Sequence, residues 1–305
     1  MAELILHLGA HGTDDGKFAA WLEANAAMLG RDGTVAMPAR QFLRLFAQSI
    51  TDSGEAPGAA DRRAFADELG LGGQVLRLVA SVPALLGPAS DVITAEGFYA
   101  RDATSRLRAL VRFLPEDTAL TLAFAIARPG IILPALVAAP APLPDPAMIE
   151  MRMGWLHGET LPWARLVRRI RQDVPQARLM VWRHECLHQI WPEILSRLAG
   201  YAETEGRSLP VAVAEEFAMQ GIGAEGRRRM RRYIAEKPPP TAALMQRVAA
   251  AFAQGYGRTA DNEADIAGTG VALPRRVRER LTRFDEGYAA QWSAIADMEG
   301  VEILD

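Results

Sequence analysis

Residues 184–188 read H-E-C-L-H, a pattern whose side chains could bind zinc and activate water. On a helix, His184 and His188 would share one face, and Glu185 would act as the general base for a zinc-bound water. The surrounding sequence fits a mid-helix position poorly, because a strand-like run ends at Trp182 and Pro192 follows soon after His188. A zinc hydrolase is therefore kept as an alternative function, and we expect no metal.

A second group of residues suited to chemistry follows the strand-like run of residues 3–8. Gly9, Gly12 and Thr13 belong to a polar, glycine-containing turn that leads into a pattern typical of an amphipathic helix. Backbone N–H groups at a helix N-terminus, aided by the helix dipole, form an anion site. This segment therefore predicts a strand, a loop suited to a phosphate, and a helix.

The segment resembles the start of bacterial sulfotransferase-like proteins, whose first strand leads into a loop of the pattern H-I-G-T-H-K-T-G-T-T. Here residues 6–13 read L-H-L-G-A-H-G-T. Residues 92–98 (V-I-T-A-E-G-F) resemble the family's strand that ends in a Ser-Ser-Glu turn. Residues 125–129 (A-I-A-R-P) resemble the strand and Arg-Asn-Pro segment that binds the 3′-phosphate of the nucleotide, and residues 177–182 resemble a later strand. The similarity covers roughly residues 3–200.

The resemblance implies transfer of a sulfuryl group from 3′-phosphoadenosine 5′-phosphosulfate (PAPS) to a hydroxyl group of an unknown acceptor. Lys17 would stabilise the charge that develops on the transferring group, and His11 or Glu96 would take the proton of the acceptor hydroxyl. The residues that would hold the nucleotide lie after two of the strands: Gly9, Gly12, Thr13 and Arg128.

The chain departs from the family pattern where a phosphate would bind. Gly12 stands in place of a lysine, and residues 14–16 (D-D-G) replace Gly-Thr-Thr. Ala127 takes the place of the family's arginine, with Arg128 one position later, and Pro134 replaces a serine. Because carboxylates repel a phosphate, the two aspartates are expected to cap the first helix and fill the anion site themselves. A non-catalytic scaffold on the same fold, binding a ligand or a partner protein, is therefore an alternative function.

The composition excludes several classes of protein. The net charge of −3, from 34 basic and 37 acidic side chains, leaves no broad basic surface, so nucleic acid is not an expected partner. No apolar run reaches the roughly 20 residues of a membrane helix, and the N-terminus has no signal-peptide pattern. The single cysteine, Cys186, leaves no internal disulfide. We therefore expect a cytoplasmic protein with no membrane partner.

The elements that must position these residues alternate between strands and helices. Strand-like runs occupy residues 3–8, 91–94, 120–126 and 177–182, with helical patterns between and after them. This alternation predicts a three-layer α/β/α domain over residues 1–205, with a central, mainly parallel sheet. Residues 206–305 are predicted to form a helical C-terminal extension packed on the same domain, with arginine-rich helices as a candidate partner surface.

Overall fold

A six-stranded parallel sheet forms the centre of the fold in the computed structural model. The structure describes residues 2–14, 16–54, 56–71, 75–99, 102–138, 146–201, 209, 214–257 and 273–305. The strands are β1 (Glu3–His7), β2 (Thr34–Ala36), β3 (Arg77–Ser81), β6 (Ala119–Ile126), β7 (Arg178–Arg183) and β8 (Val301–Leu304). Their order across the sheet is β2-β3-β1-β6-β7-β8. Two short strands, β4 (Ile93–Thr94) and β5 (Gly97–Phe98), form a separate antiparallel hairpin.

Helices cover both faces of the sheet, as the sequence predicts. One face packs against α2 (Ala39–Ser53), α3 (Ala59–Glu68), α4 (Ser105–Phe113), α5 (Pro129–Ala138), α6 (Pro146–Trp155), α7 (Trp163–Asp173), α12 (Arg275–Glu286) and α13 (Tyr288–Ala296). The other packs against α1 (Lys17–Arg31), α8 (Leu187–Ala199), α9 (Glu215–Ala218), α10 (Ala224–Glu236) and α11 (Ala242–Tyr256). The three-layer α/β/α fold with a parallel central sheet is therefore confirmed.

The strand sequences explain why the sheet is covered on both sides. In β1, Leu4 and Leu6 belong to the core on one face and Ile5 to the core on the other, and all three are at most 1% exposed. Successive side chains of a strand point to opposite faces, so a strand buried on both faces is apolar almost throughout. The central strand β6, A-L-T-L-A-F-A-I, has the same character.

The strand predicted at residues 91–94 is present only at Ile93–Thr94, and it does not belong to the main sheet. Residues 89–91 form a 3₁₀ turn, and Ile93–Thr94 pairs antiparallel with Gly97–Phe98 outside the main sheet. β1 lies between β6 and β3, and the register of β3 places Val79 opposite Ile5. β3 is only five residues long, and its R-L-V-A-S sequence carries one charged and one polar residue, so its apolar signal is weak.

The C-terminal part of the chain is not wholly helical, because β8 adds the edge strand of the main sheet. Its register pairs Val301 with Leu179 and Leu304 with Trp182 of β7. The last described residues therefore belong to the same sheet as the N-terminal strand. The predicted boundary between residues 205 and 206 lies outside the described residues. Among the helices described, none is long and apolar enough to cross a membrane.

Candidate functional site

The parallel strands all end at one edge of the sheet, and the loop after β1 lies there. The amides of Leu8 and Ala10 donate to carbonyl groups of β6 at 2.9 and 3.1 Å, so the loop continues along that strand before it turns. Gly9 and Gly12 have φ values of +49° and +84°, which only glycine adopts readily. A Cβ at Gly9 would also lie 3.2 Å from Cε1 of His7. Both predicted nucleotide-binding glycines thus have a conformational reason to be glycine.

The side chain of Asp14 caps helix α1 from two residues before its N-cap residue, Gly16. Its Oδ1 accepts from the amide of Gly16 at 3.2 Å, and its Oδ2 accepts from the amide of Phe18 at 3.3 Å. The residue is only 8% exposed, so its carboxylate, and not solvent, satisfies these amides. The capping expected of Asp14 is therefore present, whereas Asp15 lies outside the described residues.

Lys17 and Thr13 both turn toward the loop backbone. Nζ of Lys17 folds back over the loop and donates to the carbonyl oxygen of Asp14 at 3.2 Å. Thr13 is 1% exposed, and its hydroxyl donates to the carbonyl of Ala10 at 2.7 Å. A phosphate in this loop would therefore find the Thr13 hydroxyl proton already used and the Lys17 ammonium group already bonded.

His11 is held by Tyr99, a residue that the sequence analysis did not select. The backbone amide of His11 donates to the Tyr99 hydroxyl oxygen at 3.1 Å, and Nδ1 of the ring lies 3.1 Å from the same oxygen. With its oxygen accepting from that amide, the Tyr99 hydroxyl is placed to donate to Nδ1, which assigns the neutral ring with its proton on Nε2. Burial lowers the pKa of His11, and a hydrogen bond with the backbone of Gly87 opposes this shift. Burial raises the pKa of Tyr99.

This geometry limits His11 as a base. Its Nδ1 lone pair faces the Tyr99 hydroxyl, so proton transfer to that nitrogen requires the contact to rearrange. Tyr99 has a φ of +52°, an uncommon value for a bulky residue. The strained backbone of Tyr99 places its hydroxyl against the loop after β1.

A second candidate anion site, at the N-terminus of α5, also holds carboxylates of this chain. The amide of Arg128 donates to Oε1 of Glu185 at 2.5 Å, and the amide of Gly130 donates to Oδ1 of Asp285 at 2.8 Å. The Tyr288 hydroxyl donates to Oε2 of Glu185 at 3.1 Å. Burial, followed by the nearby Glu185 carboxylate, raises the pKa of Tyr288. The segment expected to hold a 3′-phosphate is thus filled from two distant parts of the chain.

The Arg128 side chain itself is exposed, and its guanidinium makes no hydrogen bond or ion pair with a described residue. It is therefore free to meet a ligand at this edge of the sheet. Pro134 is buried inside α5 and has neither a hydroxyl nor an N–H group to offer a phosphate.

Glu96 lies at the exposed turn of the β4–β5 hairpin. Its backbone amide donates to the Thr94 hydroxyl at 3.3 Å. Together with His157 and Arg165, Glu96 lines a cavity of about 130 Å³. Within the described part of the chain, its carboxylate makes no hydrogen bond with the loop after β1. Glu96 therefore lies beside His157 and Arg165 in the structure, and these are not candidate nucleotide ligands.

The H-E-x-x-H motif does not lie on one regular helix. His184 and Glu185 belong to a 3₁₀ turn (His184–Cys186), whereas His188 lies in the first turn of α8. Nε2 of His184 lies 2.7 Å from the side-chain Nε2 of Gln220, and Nδ1 of His188 lies 2.9 Å from the backbone carbonyl oxygen of Glu185. No group of three or more His, Cys, Asp or Glu side chains is placed to hold a metal ion among the residues described.

Ion pairs within the protein engage much of the arginine-rich helix α10. Arg228 and Arg229 share the carboxylate of Glu225 at 2.7 and 2.6 Å, and Arg231 pairs with Glu216 at 2.8 Å. These pairs reduce the positive charge that α10 presents to a partner.

Another residue missed by the sequence analysis is His7, the last residue of β1. It is fully buried, and its Nδ1 lies 2.9 Å from the Ser81 hydroxyl and 4.0 Å from Oδ2 of Asp14. Burial lowers the pKa of His7, and the Asp14 carboxylate opposes this shift. The sequence could have indicated His7, because it is a polar residue at the end of an apolar strand. The carboxyl ends of strands border the ligand crevice of open α/β sheets.

Comparisons with family models, curated proteins and solved structures give no match for this chain. The resemblance to sulfotransferase-like proteins therefore rests on the residues of the sequence.

Proposed function

We propose that this protein is a non-catalytic scaffold of sulfotransferase-like ancestry that binds a ligand or partner protein and does not use PAPS. One observation carries the proposal: carboxylates of the chain accept hydrogen bonds from backbone amides at the N-termini of α1 and α5. They belong to Asp14, Glu185 and Asp285. These are the two places where the family pattern would put the phosphates of the nucleotide.

Electrostatic repulsion explains why carboxylates at these two helix N-termini oppose nucleotide binding. A phosphate entering either site must displace a carboxylate or lie beside it. Two unit charges about 4 Å apart repel by roughly 4 kcal/mol near a protein surface. That energy corresponds to a loss of affinity of roughly 1,000-fold, and each phosphate of the nucleotide would meet it.

Two cations support a second candidate, a sulfotransferase with altered ligands. The Lys17 ammonium group already lies over the loop, and the Arg128 guanidinium is unengaged by described residues. Arginine can bind phosphate oxygens in bidentate fashion. In this candidate Arg128 binds the nucleotide, Lys17 stabilises the transferring group, and His11 or Glu96 takes the acceptor proton.

Calorimetric titration with 3′-phosphoadenosine 5′-phosphate distinguishes the two candidates. For the scaffold we expect no binding heat at millimolar nucleotide from folded protein. A micromolar dissociation constant would overturn the proposal and favour the sulfotransferase.

A loop variant tests the cause of the expected result. Replacing Asp14 and Asp15 by Gly and Thr should create or strengthen anion binding, because it removes the carboxylates from the loop. Glu23→Gln is the matched control, since it removes an exposed carboxylate from the outer side of α1. Unchanged nucleotide and sulfate binding in the loop variant would refute the assignment of this loop as a blocked anion site.

A further inference from the structure

A cavity of about 430 Å³ lies at the amino ends of β1 and β6, the edge of the sheet opposite the loop after β1. Ala2, just before β1, and Thr118, just before β6, both line it. Helix α3 and the turn between α4 and β6 contribute most of its other lining residues. Its volume falls in the range of roughly 300–1,000 Å³ that is usual for small-molecule sites.

Residues of opposite charge from different elements line this cavity. Arg62 and Arg63 come from α3, and Glu116 and Asp117 come from the turn that precedes β6. A third carboxylate, Asp67, lies one helical turn after Arg63. None of these five side chains forms a hydrogen bond or an ion pair with another described residue, although both signs of charge border one space.

The remaining lining gives the cavity an apolar part. Ala66 and Leu71 are each 8% exposed and belong to the core that packs beneath α3. Pro115 adds a further apolar surface. A ligand that fits this lining carries an anionic group, a cationic group and a small apolar part.

We propose that this cavity binds a small zwitterion of the amino-acid or short-peptide class. Arg62 and Arg63 bind the ligand's carboxylate, since a guanidinium group matches a carboxylate in bidentate geometry. Glu116 and Asp117 bind the ammonium group, and Asp67 adds to the negative charge that attracts it. Charges that find no partner among the described residues gain one when such a ligand binds. The site is separate from the proposed blocked nucleotide sites, so the two proposals can fail independently.

The experiment is a titration of the full chain with the dipeptide alanyl-alanine, followed by NMR or calorimetry. N-acetyl-alanyl-alanine, which lacks the cation, and alanyl-alanine amide, which lacks the anion, are the matched probes. We expect saturable binding of the dipeptide, and each blocked probe should bind at least roughly tenfold more weakly because it loses a charge-assisted contact.

Two double variants locate the site. Arg62→Gln with Arg63→Gln should weaken the dipeptide at least roughly tenfold, and so should Glu116→Gln with Asp117→Asn. In the first variant alanyl-alanine amide should bind as it does to the unmodified protein, because the carboxylate contact is already absent from that probe.

Arg44→Gln and Glu23→Gln, which alter exposed charges on α2 and α1, are controls that should bind as the unmodified protein does. Thermal unfolding of each variant establishes that it is folded. The proposal is overturned if the unmodified protein shows no saturable binding at millimolar alanyl-alanine. It is also overturned if the singly charged probes bind equally well, or if folded double variants retain full affinity.

Discussion

One substitution, examined with and without sulfate, tests both roles that we assign to the Asp14 carboxylate. This carboxylate accepts hydrogen bonds from the amides of Gly16 and Phe18, and we propose that it occupies an anion site at the start of α1. Asp14→Ala removes the carboxylate and leaves the loop glycines unchanged. We expect the free energy of unfolding to fall, and we expect sulfate to restore part of the loss.

The magnitude follows from these contacts. Removing a helix N-terminal cap costs about 0.5–2 kcal/mol. Losing a negative charge beside the helix dipole adds about 0.3–1 kcal/mol. Because Asp14 is only 8% exposed, water cannot fully replace the carboxylate, and we expect a total loss of about 2 kcal/mol.

Sulfate tests whether the vacated amides form an anion site. If sulfate binds Asp14→Ala with a dissociation constant of about 10 mM, then about 100 mM sulfate stabilises the variant by about 1.4 kcal/mol. The assay is urea unfolding followed by tryptophan fluorescence, with and without sulfate and with sodium chloride at equal ionic strength. The unmodified protein reports the general stabilising effect of sulfate, and Glu23→Ala reports the loss of an exposed carboxylate from the same helix.

Either of two results would refute this reasoning. A loss below about 0.5 kcal/mol in Asp14→Ala would mean that the carboxylate is not an effective cap. Equal stabilisation by sulfate of the variant, the control and the unmodified protein would mean that the loop amides do not form an anion site.

Three further predictions concern closely packed or buried groups of the fold. Gly130→Ala should lower the free energy of unfolding by about 1–3 kcal/mol in urea unfolding, because the new Cβ would lie 2.5 Å from Oδ2 of Asp285. The control is Gly154→Ala, which has open space around the new Cβ and should be neutral or stabilise the protein by up to about 1 kcal/mol. Arg152→Met should cost about 2–4 kcal/mol in the same assay. Arg152 is only 5% exposed, and its guanidinium donates to backbone carbonyl groups of the described residues Leu136, Val137, Ser90 and Ile93, which would lose this donor. Burial lowers the pKa of His7, so the unfolded chain binds a proton more readily, and stability should decline as the pH falls below about 6.5. At pH 5.5 the loss of stability that His7 causes is at most about 1.4 kcal/mol. The free energy of unfolding of His7→Gln should therefore fall by a correspondingly smaller amount between about pH 7.5 and 5.5. An equal fall in both proteins would contradict a lowered pKa for His7.

Local patterns in the sequence predicted much of the fold. The runs at residues 3–8, 120–126 and 177–182 correspond to β1, β6 and β7, because these strands are buried on both faces and are therefore almost continuously apolar. The amphipathic pattern from Trp163 to Ile170 corresponds to α7 in the same way. Alternation of such strands and helices was enough to predict a parallel sheet between two helical layers.

Whether a short segment forms a strand of the main sheet depends on its neighbours in that sheet. β2 has three residues and β8 has four, too few for a clear apolar pattern. β8 is a strand because it pairs with the exposed edge of β7, and residues 91–94 are not in the sheet because β3 pairs with β1 instead. A local sequence pattern carries no information about hydrogen bonds between strands that lie far apart in the chain.

The candidate site divides along the same line. The sequence alone determined that Asp14 caps α1, because the carboxylate and the amides it accepts from lie within four residues of one another. Only the tertiary structure decided that Glu185 and Asp285 fill the N-terminus of α5, since these residues lie 57 and 155 positions from the amides that they bind. A local capping contact follows from residue type and spacing, whereas a distant carboxylate reaches a helix end only through the packing of the whole sheet.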